Sequence, residues 1–133
     1  MTTSPDALTR PEPPRRRRVL VVEDEYFLAD DIVRALRVLG AEVVGPVPTR
    51  DKALALLARG ERLDAAVLDI NLRGEAVYPV ADVLIARGVP FVFATGYDQS
   101  AMPEAYRDAP RWEKPFKPDQ LAAMLPGFAR AQA

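Results

Sequence analysis

From Val19 onward the chain alternates between two kinds of hydrophobic pattern. Val19-Leu20-Val21-Val22 and Ala65-Ala66-Val67-Leu68 are continuous apolar runs, too short for helices, and they read as strands buried on both faces. Between them, residues 25–39 carry Phe27, Leu28, Ile32, Leu36 and Leu39 at helical spacing, with Gly40 as the stop. Val43-Val44 begins a short second strand that Gly45 and Pro46 end. Thr49 is placed to cap a second helix through Ala53, Leu54, Leu56 and Leu57, closing near Gly60. After the third strand come a loop containing Gly74, a helix from about Val77 to Arg87, and a fourth strand over Val89 to Ala94. The segment from Gly96 to Pro110 is irregular, with at most a short helix around Glu104 to Arg107. Arg111 to Glu113 forms a brief fifth strand. Pro118 then opens a last helix to about Arg130, with Leu121, Met124, Leu125 and Phe128 facing inward.

Five strands alternating with helices predict right-handed crossovers and an α/β fold, a doubly wound five-stranded parallel sheet of the flavodoxin-like (βα)5 kind with a short or mobile fourth helix. In such sheets ligands bind at the carboxyl ends of the strands. Residues 1–17 differ in character. Pro5, Pro11, Pro13 and Pro14 precede the run Arg15 to Arg18, and so polar a stretch cannot bury enough surface to offset its ordering. The expected organisation is a disordered leader over 1–17, one domain over 18–130 and a tail over 131–133. The arginine run is an acidic-surface or nucleic-acid patch, or a solvated leader for the first strand. Four arginines are too few for a binding domain, so the second reading is preferred.

Composition narrows the chemistry. The chain has 133 residues, 49% of them hydrophobic and 28% charged, which suits one folded domain. Its 18 basic and 19 acidic residues leave a net charge of -1, so no direct nucleic-acid binding is expected. It contains no cysteine and no histidine. Thiolate metal sites, cysteine nucleophiles, His-based triads and an internal phospho-accepting histidine are therefore excluded. No stretch approaches the roughly 20 apolar residues of a membrane span, and no signal peptide is visible. A cytoplasmic protein without membrane contact is expected.

The predicted strand ends hold a specific set. Glu23, Asp24 and Glu25 follow strand one, Asp69 ends strand three, Thr95 strand four, and Lys114-Pro115 follows strand five. Clustered carboxylates raise one another's pKa and persist best when a cation shares the site. Oxygen-only ligands favour Mg²⁺. With a hydroxyl and an amine for phosphoryl oxygens, the set describes a site in which Asp69 is a carboxylate nucleophile toward phosphorus.

Taken in order and spacing, Val21-Val22-Glu23-Asp24-Glu25, Leu68-Asp69-Ile70-Asn71-Leu72, Ala94-Thr95-Gly96 and Lys114-Pro115-Phe116 resemble the receiver domains of response regulators, the CheY-like family of two-component signalling. The resemblance covers roughly residues 18 to 130. Pro90 to Tyr97, with Glu113 to Phe116, is further similar to the stand-alone "FATGUY" receivers associated with kinases of the HWE or HisKA2 type. The resemblance implies Asp69 as phospho-acceptor and metal ligand, Asp24 as a direct Mg²⁺ ligand, Glu23 acting on the metal through water, and the Asn71 backbone carbonyl completing the set. It also implies that Thr95 and Lys114 hold phosphoryl oxygens, that Gly96 leaves room for them, and that Lys114-Pro115 is cis.

Two departures stand out. Arg111 occupies the position where many receivers carry a switching aromatic, and Pro103 breaks the fourth helix. The segment from Tyr97 to Pro110 is then the expected reporter of phosphorylation, with few apolar anchors. Tyr78, Tyr97 and Trp112 are read as ordinary packing. The implied partners are a sensor histidine kinase and a histidine phosphotransfer or downstream signalling protein, the domain acting as a switch and not as a metabolic enzyme. A dehalogenase-like phosphatase would want a second acid where Asn71 stands. A receiver fold that acts as an interaction module independently of phosphorylation is the remaining alternative.

Overall fold

In the computed structural model of this chain, the residues described are 16–94 and 102–127. Five strands, β1 (Arg18–Val22), β2 (Glu42–Val47), β3 (Ala65–Asp69), β6 (Phe91–Ala94) and β7 (Arg111–Trp112), form one parallel sheet in the order β2-β1-β3-β6-β7. Among the described residues the helices are α1 (Tyr26–Val38), α2 (Arg50–Ala58), α3 (Tyr78–Ala86) and α4 (Pro118–Met124). The expected doubly wound sheet is thus observed. A 3₁₀ turn, Glu104–Tyr106, stands where at most a short helix around Glu104 to Arg107 was expected.

The continuous apolar runs follow from burial on two sides. Val19, Val21, Ala65, Val67, Val92 and Ala94 pack with Ile32 and Leu36 of α1, Trp112, and Leu121 of α4. The alternate positions, Leu20, Val22, Ala66, Leu68 and Phe93, pack with Leu56 and Leu57 of α2 and Val80 and Leu84 of α3. Successive side chains point to opposite faces, so both parities must be apolar.

Several boundaries differ from the sequence expectation. β2 runs through Gly45 and Pro46 instead of ending there, with a register irregularity between Leu20 and Val22 of its partner β1. It can do so because β2 is an edge strand, where a missing N–H costs no inner ladder bond. The last helix stops at Met124, not near Arg130. Pro126 forces Leu125 into extended backbone (φ -115°, ψ 129°), which ends the helix, and Phe128 and Arg130 lie outside the described residues. Phe27 is 73% exposed, so it does not belong to the inner face of α1.

The Gly74 loop is a two-residue β-hairpin, β4 (Asn71–Leu72) against β5 (Glu75–Ala76). Arg73 and Gly74 both have positive φ (53° and 89°), the backbone that matches a tight turn to the strand twist. Beyond it, the second half of the 97–110 segment is better anchored than expected. Met102 is buried, Tyr106 stacks on Tyr78 at 4.5 Å and donates a 2.5 Å hydrogen bond to Asp82, and Arg107 donates to the Met102 carbonyl. Arg111 is half-buried against the Met102 sulfur.

The arginine run is also not wholly solvated. Arg18 pairs with Glu61 and Glu42, its amide is held by Asp64, and Arg17 donates to the Gly127 carbonyl. These contacts lie at the amino end of the strands. Residues 1–15 of the expected leader and the tail 131–133 lie outside the described residues.

Candidate phosphoryl-acceptor site

The register between β1 and β3 pairs Val19 with Ala65, Val21 with Val67 and Val22 with Leu68. Continued by one residue, it sets Glu23 opposite Asp69, both on the α1 side of the sheet. These strands flank the point where strand order reverses, the expected ligand crevice of such a sheet.

Each acid is fixed locally. The Glu23 amide donates to the Val47 carbonyl at 3.0 Å, extending the ladder with β2, and the Glu25 amide donates to Glu23 Oε2 at 3.0 Å. Glu25 is consumed by the helix. Its carboxylate caps α1, accepting from the Leu28 amide at 2.7 Å and the Phe27 amide at 3.3 Å, which leaves Glu23 and Asp24 as the acids turned to the crevice. Glu23 is 4% exposed and Asp69 8%, and Asp24 is partly open. The three carboxylates each bring an oxygen within 4.8 Å of the others.

Burial pushes the Glu23 carboxyl up to about 8. The Glu25 amide opposes that shift, while the charge of Asp69, the hydrogen bond shared with it and the charge of Asp24 add to it. The Glu23–Asp69 pair therefore holds a proton more tightly than two separate carboxylates would. Asp24 takes another route to neutrality, with Arg73 Nε 3.3 Å from its Oδ2. Both features describe carboxylates crowded into one crevice. The donors are all carboxylate oxygens, hard ligands that suit a divalent cation such as Mg²⁺.

Of the residues expected at the site, Glu23, Asp24 and Asp69 are brought together. Asn71 begins the hairpin two residues beyond Asp69, and the hydrogen-bonded pair next to a two-residue turn is Leu72 with Glu75, which turns the Asn71 carbonyl away from β5. Ala94 pairs with Asp69 across β3 and β6, and Thr95, which follows Ala94 in the chain, lies outside the described residues. Gly96 and Tyr97 lie outside them too. Lys114 follows β7 at the same sheet edge, is exposed, is joined to Pro115 by a cis bond, and lines a groove with Asp31 and Arg34 of α1. Arg73 was missed from sequence. Its signal is faint, a basic residue before Gly74 four positions after Asp69.

The chain is similar over most of its length to SdrG from Sphingomonas melonis Fr1. The two are 43% identical, with a TM-score of 0.73, over 82% of this chain and 92% of that one. The chain belongs to the receiver domains of response regulators. SdrG is also known in a BeF3-activated conformation, to which this receiver is 44% identical with a TM-score of 0.67, over 80% of this chain and 90% of that one. The REC domain of the Erythrobacter litoralis PhyR response regulator is 26% identical, with a TM-score of 0.69 over 82% of this receiver and 86% of that chain. Among curated proteins, the transcriptional regulatory protein PdtaR of Mycobacterium tuberculosis is 28% identical over 86% of this chain and 56% of its own length. The receiver thus spans about half the length of that relative. No family model matches the sequence. No helix among the described residues is long and apolar enough to cross a membrane.

Proposed function

We propose that this receiver is the phospho-accepting switch of a two-component relay, in which Asp69 takes a phosphoryl group from a sensor histidine kinase of the HWE or HisKA2 type. The observation that carries this reading is the Glu23–Asp24–Asp69 cluster at the strand-order reversal, in a chain that is 43% identical to SdrG. The BeF3-activated form of SdrG supports it, since beryllofluoride is a phosphoryl mimic.

Asp24, Asp69 and the Asn71 carbonyl would hold Mg²⁺ directly, with Glu23 reaching it through water. When bound, the ion supplies the positive charge that a transferring phosphoryl group needs beside carboxylates. Asp69 then acts as nucleophile. A carboxylate oxygen forms a bond to phosphorus as the bond from phosphorus to the donor breaks, and the leaving group departs with that electron pair. The Thr95 hydroxyl and the Lys114 ammonium bind the remaining phosphoryl oxygens and fix their orientation. Hydrolysis of the aspartyl phosphate returns the switch, so catalysis is self-directed. Output is phosphorylation-dependent binding in the cytoplasm, or onward transfer to a histidine phosphotransfer or other downstream signalling protein.

Incubation with labelled acetyl phosphate tests this. Label should enter the wild-type protein in Mg²⁺, and enter neither the protein in EDTA nor Asp69→Asn in Mg²⁺. Equal labelling of Asp69→Asn would refute Asp69 as acceptor. No labelling of the wild type at all would favour a receiver fold that works independently of phosphorylation.

A further inference from the structure

Two observations single out Arg73 at the tip of the β4–β5 hairpin. Among the described residues it is the one non-glycine with positive φ, at 53°. That backbone is unfavourable for a residue with a Cβ, and glycine or asparagine would adopt it more readily. The side chain also meets the site, with Nε 3.3 Å from Asp24 Oδ2. The hairpin that presents it is tied down at its base. Leu72 and Val77 are fully buried, the Val77 amide donates to the Ile70 carbonyl at 3.0 Å, and Arg50 of α2 pairs with Glu75 at 3.4 Å. A strained arginine on a fixed turn thus reaches the most open acid of the cluster.

We propose that Arg73 is a tethered cation that holds Asp24 in the metal-free protein, competes with the divalent ion for that carboxylate, and so sets the metal affinity of the site. The inference rests on Glu23, Asp24 and Asp69 being the metal site proposed above. Asp24 has its side chain 14% exposed and Arg73 76%, so the guanidinium can swing into solvent without unfolding anything. A guanidinium stays charged at every accessible pH, so this competition does not fade with protonation as that of a histidine would. Exposed pairs of this kind are worth up to about 1 kcal/mol, which corresponds to a shift in metal affinity of up to about fivefold. The receiver would then bind Mg²⁺ more weakly than its three acids alone allow, and its readiness for phosphorylation would follow the free Mg²⁺ concentration.

Calorimetric titration of the full chain with Mg²⁺ tests this, comparing wild type with Arg73→Asn, which suits the positive φ, and Arg73→Lys, which restores the charge. Arg73→Asn should bind Mg²⁺ about two- to fivefold more tightly, and Arg73→Lys should fall back toward wild type. The Arg73 Nε–H resonance, assigned by its loss in Arg73→Asn, should move in step with Mg²⁺ addition to the wild type. Unchanged affinity in Arg73→Asn, or an Nε–H signal indifferent to Mg²⁺ while the wild type binds it, overturns the inference. A wild type that binds no Mg²⁺ at millimolar concentration overturns the metal site itself, which is a separate failure.

Discussion

The carboxyl group of Glu23 is hydrogen-bonded to that of Asp69, across the ends of two neighbouring parallel strands. Two acids can share such a bond only if one carries a proton, and burial favours keeping that proton on the pair. The bond ties the end of β1 to the end of β3.

That arrangement predicts a pH dependence of stability without metal. The Glu23 carboxyl titrates near 8 in the folded chain, above its ordinary value of 4.5, so the folded state binds the proton more tightly. This group contributes no penalty below its unfolded value. Its contribution to stability falls as pH rises from there toward 8 and is flat above. Urea unfolding in EDTA should show that decline, and Glu23→Gln should flatten it. A Glu23→Gln profile parallel to wild type over that window would contradict the assignment.

Metal removal and the roles of the acids can be separated by titration. Asp24→Ala should weaken Mg²⁺ binding more than Glu23→Ala, because Asp24 is assigned to direct contact and Glu23 to a water-mediated one. Equal losses would show the two roles to be wrongly divided.

Gly45 should be intolerant of a side chain. Its φ is +100°, and a Cβ there would lie 2.8 Å from the Val47 amide nitrogen and 2.9 Å from the Val21 carbonyl oxygen, backbone atoms that cannot swing aside. Gly45→Ala should cost about 2 kcal/mol or more, read as a lower urea midpoint. A midpoint equal to wild type would mean that β2 can be re-laid beside β1.

Tyr106 ties the 3₁₀ turn to α3 in two ways, a stack on Tyr78 and a hydrogen bond to Asp82. Tyr106→Phe keeps the first and loses the second, and should cost no more than about 1 kcal/mol. Tyr106→Ala loses both and should cost clearly more. Equal costs in urea unfolding would assign the anchoring to the hydroxyl alone.

The sheet was legible in the sequence because burial on both faces makes Val19 to Val22 and Ala65 to Leu68 apolar at every position. The acids at their ends stood out for the same reason, as the first charged residues after each run. What stayed hidden depends on register and packing. No local pattern says that Glu23 falls opposite Asp69 and not opposite Ile70. The hairpin at Arg73-Gly74 has only two residues per strand, below the length at which alternation becomes visible. Phe27 fits the helical stripe of α1 and is exposed all the same. The anchoring of Tyr106 joins residues 24 to 28 positions apart in the chain, a contact that periodicity cannot carry.

The central claim, that Asp69 is the residue phosphorylated in the presence of Mg²⁺, is tested most directly by trapping. The protein is treated with acetyl phosphate and Mg²⁺, reduced with borohydride, and its peptides are sequenced by mass spectrometry. Reduction converts an aspartyl phosphate to homoserine, so homoserine at position 69, absent when Mg²⁺ is omitted, is the predicted result. Homoserine at Asp24 or another aspartate, or an unmodified position 69 in protein that has taken up phosphate, would contradict it.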